Sequence, residues 1–277
     1  MFDFLFMPDW LHRPGPSYAF LPEHLIFILV AMAIGVGLGF LLRKKPKRTI
    51  EKVLISLWAF GTFIEVFYYA LCYIRSGIDP VNHPFNIEYD LPLHSCMMFF
   101  FVFPVAMFIK NKYVKKAATS FLVIVNMIMG FITLFVGCPG PGRSTLSYPG
   151  LNTLTYHSII VIVPLIMLMT GYYKIKLYDF VYGLIAFGTL GLTIWIFDAI
   201  AGCDYFYFYD GHTFPVLKVI SENVPPIVWT LIVVSCYVIT GVATHFLAIL
   251  IKWLVTKRVD KDEKDSDLET EPITDNK

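Results

Sequence analysis

His94 and Cys96 sit two residues apart in the stretch DLPLHSCMM, residues 90–98, where a proline introduces a long apolar run. A thiolate attacks esters, and an imidazole can take and return the proton that such an attack requires. Side chains two apart on a regular helix point in nearly opposite directions, so the pair cannot act together unless the backbone there is irregular. A base for Cys96 would then come from another helix, and His157 is the candidate at matching depth. In the other arrangement His94 and His157 form the site and Cys96 is packing, because a free cysteine behaves as a small hydrophobe.

Other polar groups fall in the same apolar runs: Glu65, Asn126 and Asp198. An ionisable group at the centre of a membrane helix costs about 2.5–3.5 kcal/mol on insertion scales, so each needs a partner or a task. Glu65 is expected to pair with a tyrosine hydroxyl or a histidine, since EVFYY places Tyr68 and Tyr69 on the next turn. Water at the interface would satisfy Asp198. A zinc-dependent lipid hydrolase is a third possibility on the same residues, because His94, His157, Cys96 and Asp198 are suitable ligand types. No HxxxH or HxxxD pair lies on one helix face, and His245 is too far along its span to join, so no metal and no cofactor is expected.

These residues must be held by membrane helices. Of 277 residues, 57% are hydrophobic and only 16% are charged, against roughly a quarter charged in soluble domains. The apolar runs are long enough to cross a bilayer as helices. They predict an all-α membrane protein with seven spans at 21–42, 52–75, 92–109, 116–137, 154–172, 179–201 and 226–252. Basic residues crowd every second loop: RKKPKR at 43–48, KNKYVKK at 110–116, KIK at 174–176 and TKR at 256–258. By the positive-inside rule the N-terminus is outside and the C-terminus cytoplasmic. In that frame nearly all the membrane-level polar groups lie in the outer half, on several helices, as a shared cavity opening outward requires.

Three regions complete the layout. Residues 1–20 read as an aromatic-rich interfacial segment, 21–255 as the seven-helix domain and 256–277 as an acidic, disordered cytoplasmic tail. YFYFYDGH, residues 205–212, reads as an aromatic girdle at the outer face. Cys138 and Cys203 both fall in outer loops and are expected to be unpaired.

Several motifs carry a resemblance. LPLHSC at 91–96, TYHSIIVIVPL at 155–165, AGCDYFYFY at 201–209 and VPPIVWTL at 224–231 occur in an order and spacing similar to those of the YwaF-type bacterial membrane proteins. These form the bacterial branch of the transmembrane protein 164 family, and the resemblance spans about residues 50–250. It implies a seven-helix fold and a cysteine-dependent transfer of a fatty acyl chain between phospholipids. His94 and His157 match the family's two intramembrane histidines. In the eukaryotic branch the cysteine directly precedes the first histidine, a position held here by Leu93, whereas Cys96 follows it by two.

The reading is a membrane-embedded lipid acyltransferase or lipid hydrolase in a cell membrane, a bacterial plasma membrane, acting on membrane phospholipids and not on nucleic acid. His157, His94 and Cys96 are its candidate catalytic residues, supported by Glu65, Asn126 and Asp198. The alternative is a transporter or small-molecule-binding membrane protein without catalysis. Against that alternative, no pair of interrupted helices is visible in corresponding halves of the sequence.

Overall fold

The computed structural model describes residues 21–81, 85, 87, 91–137, 148–209 and 215–269, and all regular structure among them is helical. The expected segment 1–20 and Cys138 lie outside the described residues. In chain order the helices are α1 (Pro22–Leu42), α2 (Lys47–Ile78), α3 (Met98–Phe108) and α4 (Lys112–Phe121). A π-helical turn, Leu122–Asn126, joins α4 to α5 (Met127–Ile132), and a second, Thr133–Gly137, follows. Then come α6 (Tyr148–Met169), α7 (Asp179–Ala201), α8 (Pro215–Glu222) and α9 (Pro226–Glu269).

Six stretches among the described residues are long and apolar enough to cross a membrane: Pro22–Leu42, Lys47–Ile78, Lys112–Phe135, Tyr148–Met169, Asp179–Ala201 and Pro226–Leu254. The expected third span departs from the pattern. Its helix begins only at Met98 and has 11 residues, about 16 Å at 1.5 Å per residue and half the hydrocarbon thickness. Residues 91–97 form successive tight turns instead: Leu93 N donates to Leu91 O at 2.9 Å, and Met97 N to His94 O at 2.8 Å. Non-helical backbone at membrane depth is tolerated only where protein encloses it. Ser95, Met97 and Met98 are buried accordingly.

α6 is the hub of the bundle. Of its apolar stretch 78% is buried, against 22% for α7, which presents most of its surface outward. Lipid tails are as apolar as leucine, so helices associate in a bilayer through close packing rather than hydrophobic force. Gly35 and Gly39 of α1 show how close: a Cβ on either would meet Ile162 at 2.8 Å or Met169 at 2.4 Å.

Two more expectations change in the structure. α9 continues past the expected end of its span, to Glu269, so the acidic segment begins as helix. The stretch 205–208 is no surface girdle, because Tyr205 and Phe206 are fully buried and Phe208 nearly so. Its rings pack inward against Phe187 and Tyr237, and only Tyr209 lies exposed.

Candidate functional site

The candidate site centres on the non-helical residues 91–97 ahead of α3. Tight turns at 91–97 leave carbonyls without helical partners, and Asn126 answers two of them. Its Nδ2 donates to Ser95 O at 3.2 Å and Cys96 O at 3.1 Å. Asn126 closes the first π-helical turn, where an extra residue per turn re-aims the side chains that follow. It is wholly buried, and its Oδ1 has no hydrogen-bond partner.

Both histidines are held through Nδ1. His157 Nδ1 lies 2.7 Å from Thr153 O, one turn earlier on α6, and His94 Nδ1 lies 3.3 Å from Tyr205 O. A carbonyl only accepts, so both Nδ1 atoms carry the proton in the neutral ring and both Nε2 atoms keep a lone pair. The His157 ring is buried, its Nε2 has no hydrogen-bond partner, and it stands within electrostatic reach of His94. Aromatic rings fix the orientation of His94: Tyr205 contacts it edge-on at 4.9 Å and Tyr207 stacks at 6.3 Å. Tyr207 adopts φ 59°, a left-handed conformation costly for a tyrosine, in the loop that supplies these contacts.

Asp198 supports that loop. Its Oδ2 accepts from Tyr205 N at 3.0 Å and its Oδ1 lies 3.3 Å from Cys203 Sγ. Asp204 accepts from Phe208 N and Tyr209 N at 2.7 and 3.1 Å. From α9, Trp229 Nε1 donates to Tyr207 O at 2.9 Å and Thr230 Oγ1 to Phe208 O at 2.9 Å. Asp198 therefore supports His94 through Tyr205, and is met by the Tyr205 backbone N–H and the Cys203 thiol.

Glu65 also finds a different partner. Asn152 of α6 donates Nδ2 to its Oε1 at 2.9 Å, in place of the expected tyrosine or histidine. The neighbouring Tyr148 is committed to Ile64 O at 2.9 Å. Cys96, Tyr69 and Tyr156 all lie within electrostatic reach of the Glu65 carboxylate. Of the six sequence candidates, hydrogen bonds tie Asn126 to the turn carrying His94 and Cys96, and tie Asp198 to His94 through Tyr205, whereas Glu65 is tied to Asn152 and His157 to Thr153. Cys96 and His157, paired in one of the two arrangements the sequence left open, are not hydrogen-bonded to each other, since His157 Nε2 has no partner and Nδ1 is held by Thr153 O. Composition alone pointed to neither Asn152 nor Tyr205. Asn152 was detectable in principle as an amide five residues before His157, on the same helix.

Acidic, amide, imidazole and thiol groups converge around an interrupted segment within a bundle of membrane-length helices. That defines a multi-pass helical membrane protein with a buried polar site. The chain belongs to the TMEM164 family, whose model matches residues 19–253. No curated protein and no solved structure matches it.

Proposed function

We propose that the protein transfers or hydrolyses the acyl ester of a membrane phospholipid, with His157 as general base. One observation carries this reading: His157 is buried, its Nδ1–H is committed to Thr153 O, and its Nε2 lone pair is unmatched. A buried acceptor without a donor is expensive, and a substrate or nucleophile bearing a proton would relieve it. In transfer, Cys96 gives its proton to Nε2 and its sulfur attacks the ester carbon, forming a thioester. The C–O bond breaks, and the departing lysolipid oxygen takes the proton back. A second lipid hydroxyl then receives the acyl group by the same steps in reverse, whereas water as acceptor gives hydrolysis. Cys96 must rotate or shift toward His157 for this, and the turn-rich segment 91–97 has fewer helical restraints to overcome than a regular helix.

We further propose seven crossings, with residues 91–97 and α3 together making the third, and the site opening to the outer leaflet of a plasma membrane. The alternation of basic loops supports that orientation.

The test uses detergent-purified protein with phospholipid vesicles, a chloroacetamide probe and product analysis by mass spectrometry. Labelling of Cys96 that disappears in His157→Ala, together with lost acyl transfer, is the expected result. Transfer that survives His157→Ala would sink the assignment of the base. Non-catalytic binding or transport has one observation in its favour, the interrupted span, since such breaks mark transporter sites. Cys96 inert to the probe and no lipid product would favour it.

A further inference from the structure

Between α7 and α9 runs a groove of about 420 Å³, within the roughly 300–1,000 Å³ of small-molecule sites. Phe187, Gly188, Gly191 and Trp195 line one side, and Thr230 and Val234 the other. From Leu184 to Trp195 it extends about 16 Å along α7 at 1.5 Å per residue. Its lining carries one hydroxyl, and Thr230 spends that on Phe208 O and Pro226 O at 2.9 and 3.0 Å. Gly188 gives the groove its open floor, for a Cβ there would meet nothing within 4 Å.

The groove adjoins the site already described. Phe187, on its wall, packs against Tyr237 at 4.7 Å, and Tyr237 is hydrogen-bonded to the side chain of Ser95, the residue before Cys96. The Phe187–Tyr237 pair therefore links the groove to the turn that carries the thiol. We infer that this groove seats the acyl chain of the lipid whose ester reacts, with the Phe187–Tyr237 pair as the link between chain and chemistry. The inference rests on the acyl-transfer reading for its purpose. Both walls belong to membrane-length helices, where hydrocarbon tails are the surrounding medium. Apolar attraction cannot select a tail there. What a shaped groove supplies is dispersion contact along a chain's length, which a fluid bilayer packs less densely.

The test is photo-crosslinking in phosphatidylcholine vesicles containing a phosphatidylcholine with a diazirine in its acyl chain. Labelled residues are mapped by mass spectrometry in the wild type and in Gly188→Phe, Gly188→Leu, Gly37→Phe and His157→Ala. Label concentrated on residues 184–195 and 230–238, reduced several-fold by either Gly188 variant and unchanged by Gly37→Phe, is the expected pattern. Gly37 also has open space around its Cβ position, on α1 away from the groove, and so controls for bulk added at a glycine. Label spread evenly over exposed positions such as Leu29 and Ile200 would overturn the inference, as would label indifferent to both Gly188 variants. Groove labelling retained in His157→Ala supports the groove whatever happens to turnover. If turnover also persists in that variant, the assignment of the base fails while the groove stands.

Discussion

Two buried carboxylates at opposite ends of the bundle are handled in opposite ways. Asp179, at the start of α7, carries an ion pair and two hydrogen bonds: Lys116 Nζ lies 2.8 Å from its Oδ1, and Tyr173 OH and Lys176 N lie 2.7 and 3.0 Å from its Oδ2. Ser120 extends the network through Tyr173 at 2.7 Å. Glu65 has one neutral amide, and around it stand buried acceptors with no donor, Thr62 Oγ1 and Asn152 Oδ1 among them. A buried carboxyl compensated by a cation and several donors stabilises a fold, whereas one given a single neutral amide has little of that compensation. The two ends differ in this, although both were built from the same kinds of residue.

His157→Gln breaks the comparison most sharply. The amide cannot act as a base, so acyl transfer measured by product mass spectrometry should fall by about 10²–10⁴, the usual contribution of a positioned base, with the melting temperature nearly preserved. Asp179→Asn should do the reverse. Leaving Lys116 without its anion costs about 3 kcal/mol, the lower end for a broken buried pair because Lys116 is partly exposed, and turnover of the folded fraction stays at the wild-type level. Asn126→Ala should be intermediate. Removing the donor to Ser95 O and Cys96 O costs about 1–3 kcal/mol in thermal unfolding, and also alters the reactivity of Cys96 towards a chloroacetamide. If that reactivity is unchanged, the π-helical turn does not govern the thiol. His245→Phe should have the smallest effect. This histidine is buried at the Asp179 end, packed between the rings of Phe180 and Phe246. An apolar ring of similar shape should leave the melting temperature unchanged or slightly raised.

Much of this was legible in the sequence. Six of the seven expected spans appear as membrane-length helices, because length and hydropathy report the bilayer directly. The interruption at 91–97 was not legible, since its residues are apolar enough to continue a helix and only Pro92 hinted at a boundary. Its cause lies elsewhere in the chain, in the amide of Asn126 that compensates the lost helical bonds. The partner of Glu65 escaped for a similar reason: tyrosines one turn away were near in sequence, while Asn152 is brought in by packing of α6 against α2. Tyr205 and its neighbours looked interfacial by composition, because an aromatic run reads alike whether its rings meet headgroups or a protein interior.

The two π-helical turns leave a last mark on the chain. Each accommodates a residue beyond what a regular helix would hold in the same rise, and one residue turns a helix face by about 100°. The stretch from Lys112 to Gly137 therefore behaves as two short rods of shifted phase, each ending in a π-helical turn, rather than one long one. A single-residue deletion within 122–126 would heal the helix and yet swing every side chain on one side of it away from its neighbours. Here the most regular backbone would be the least native one.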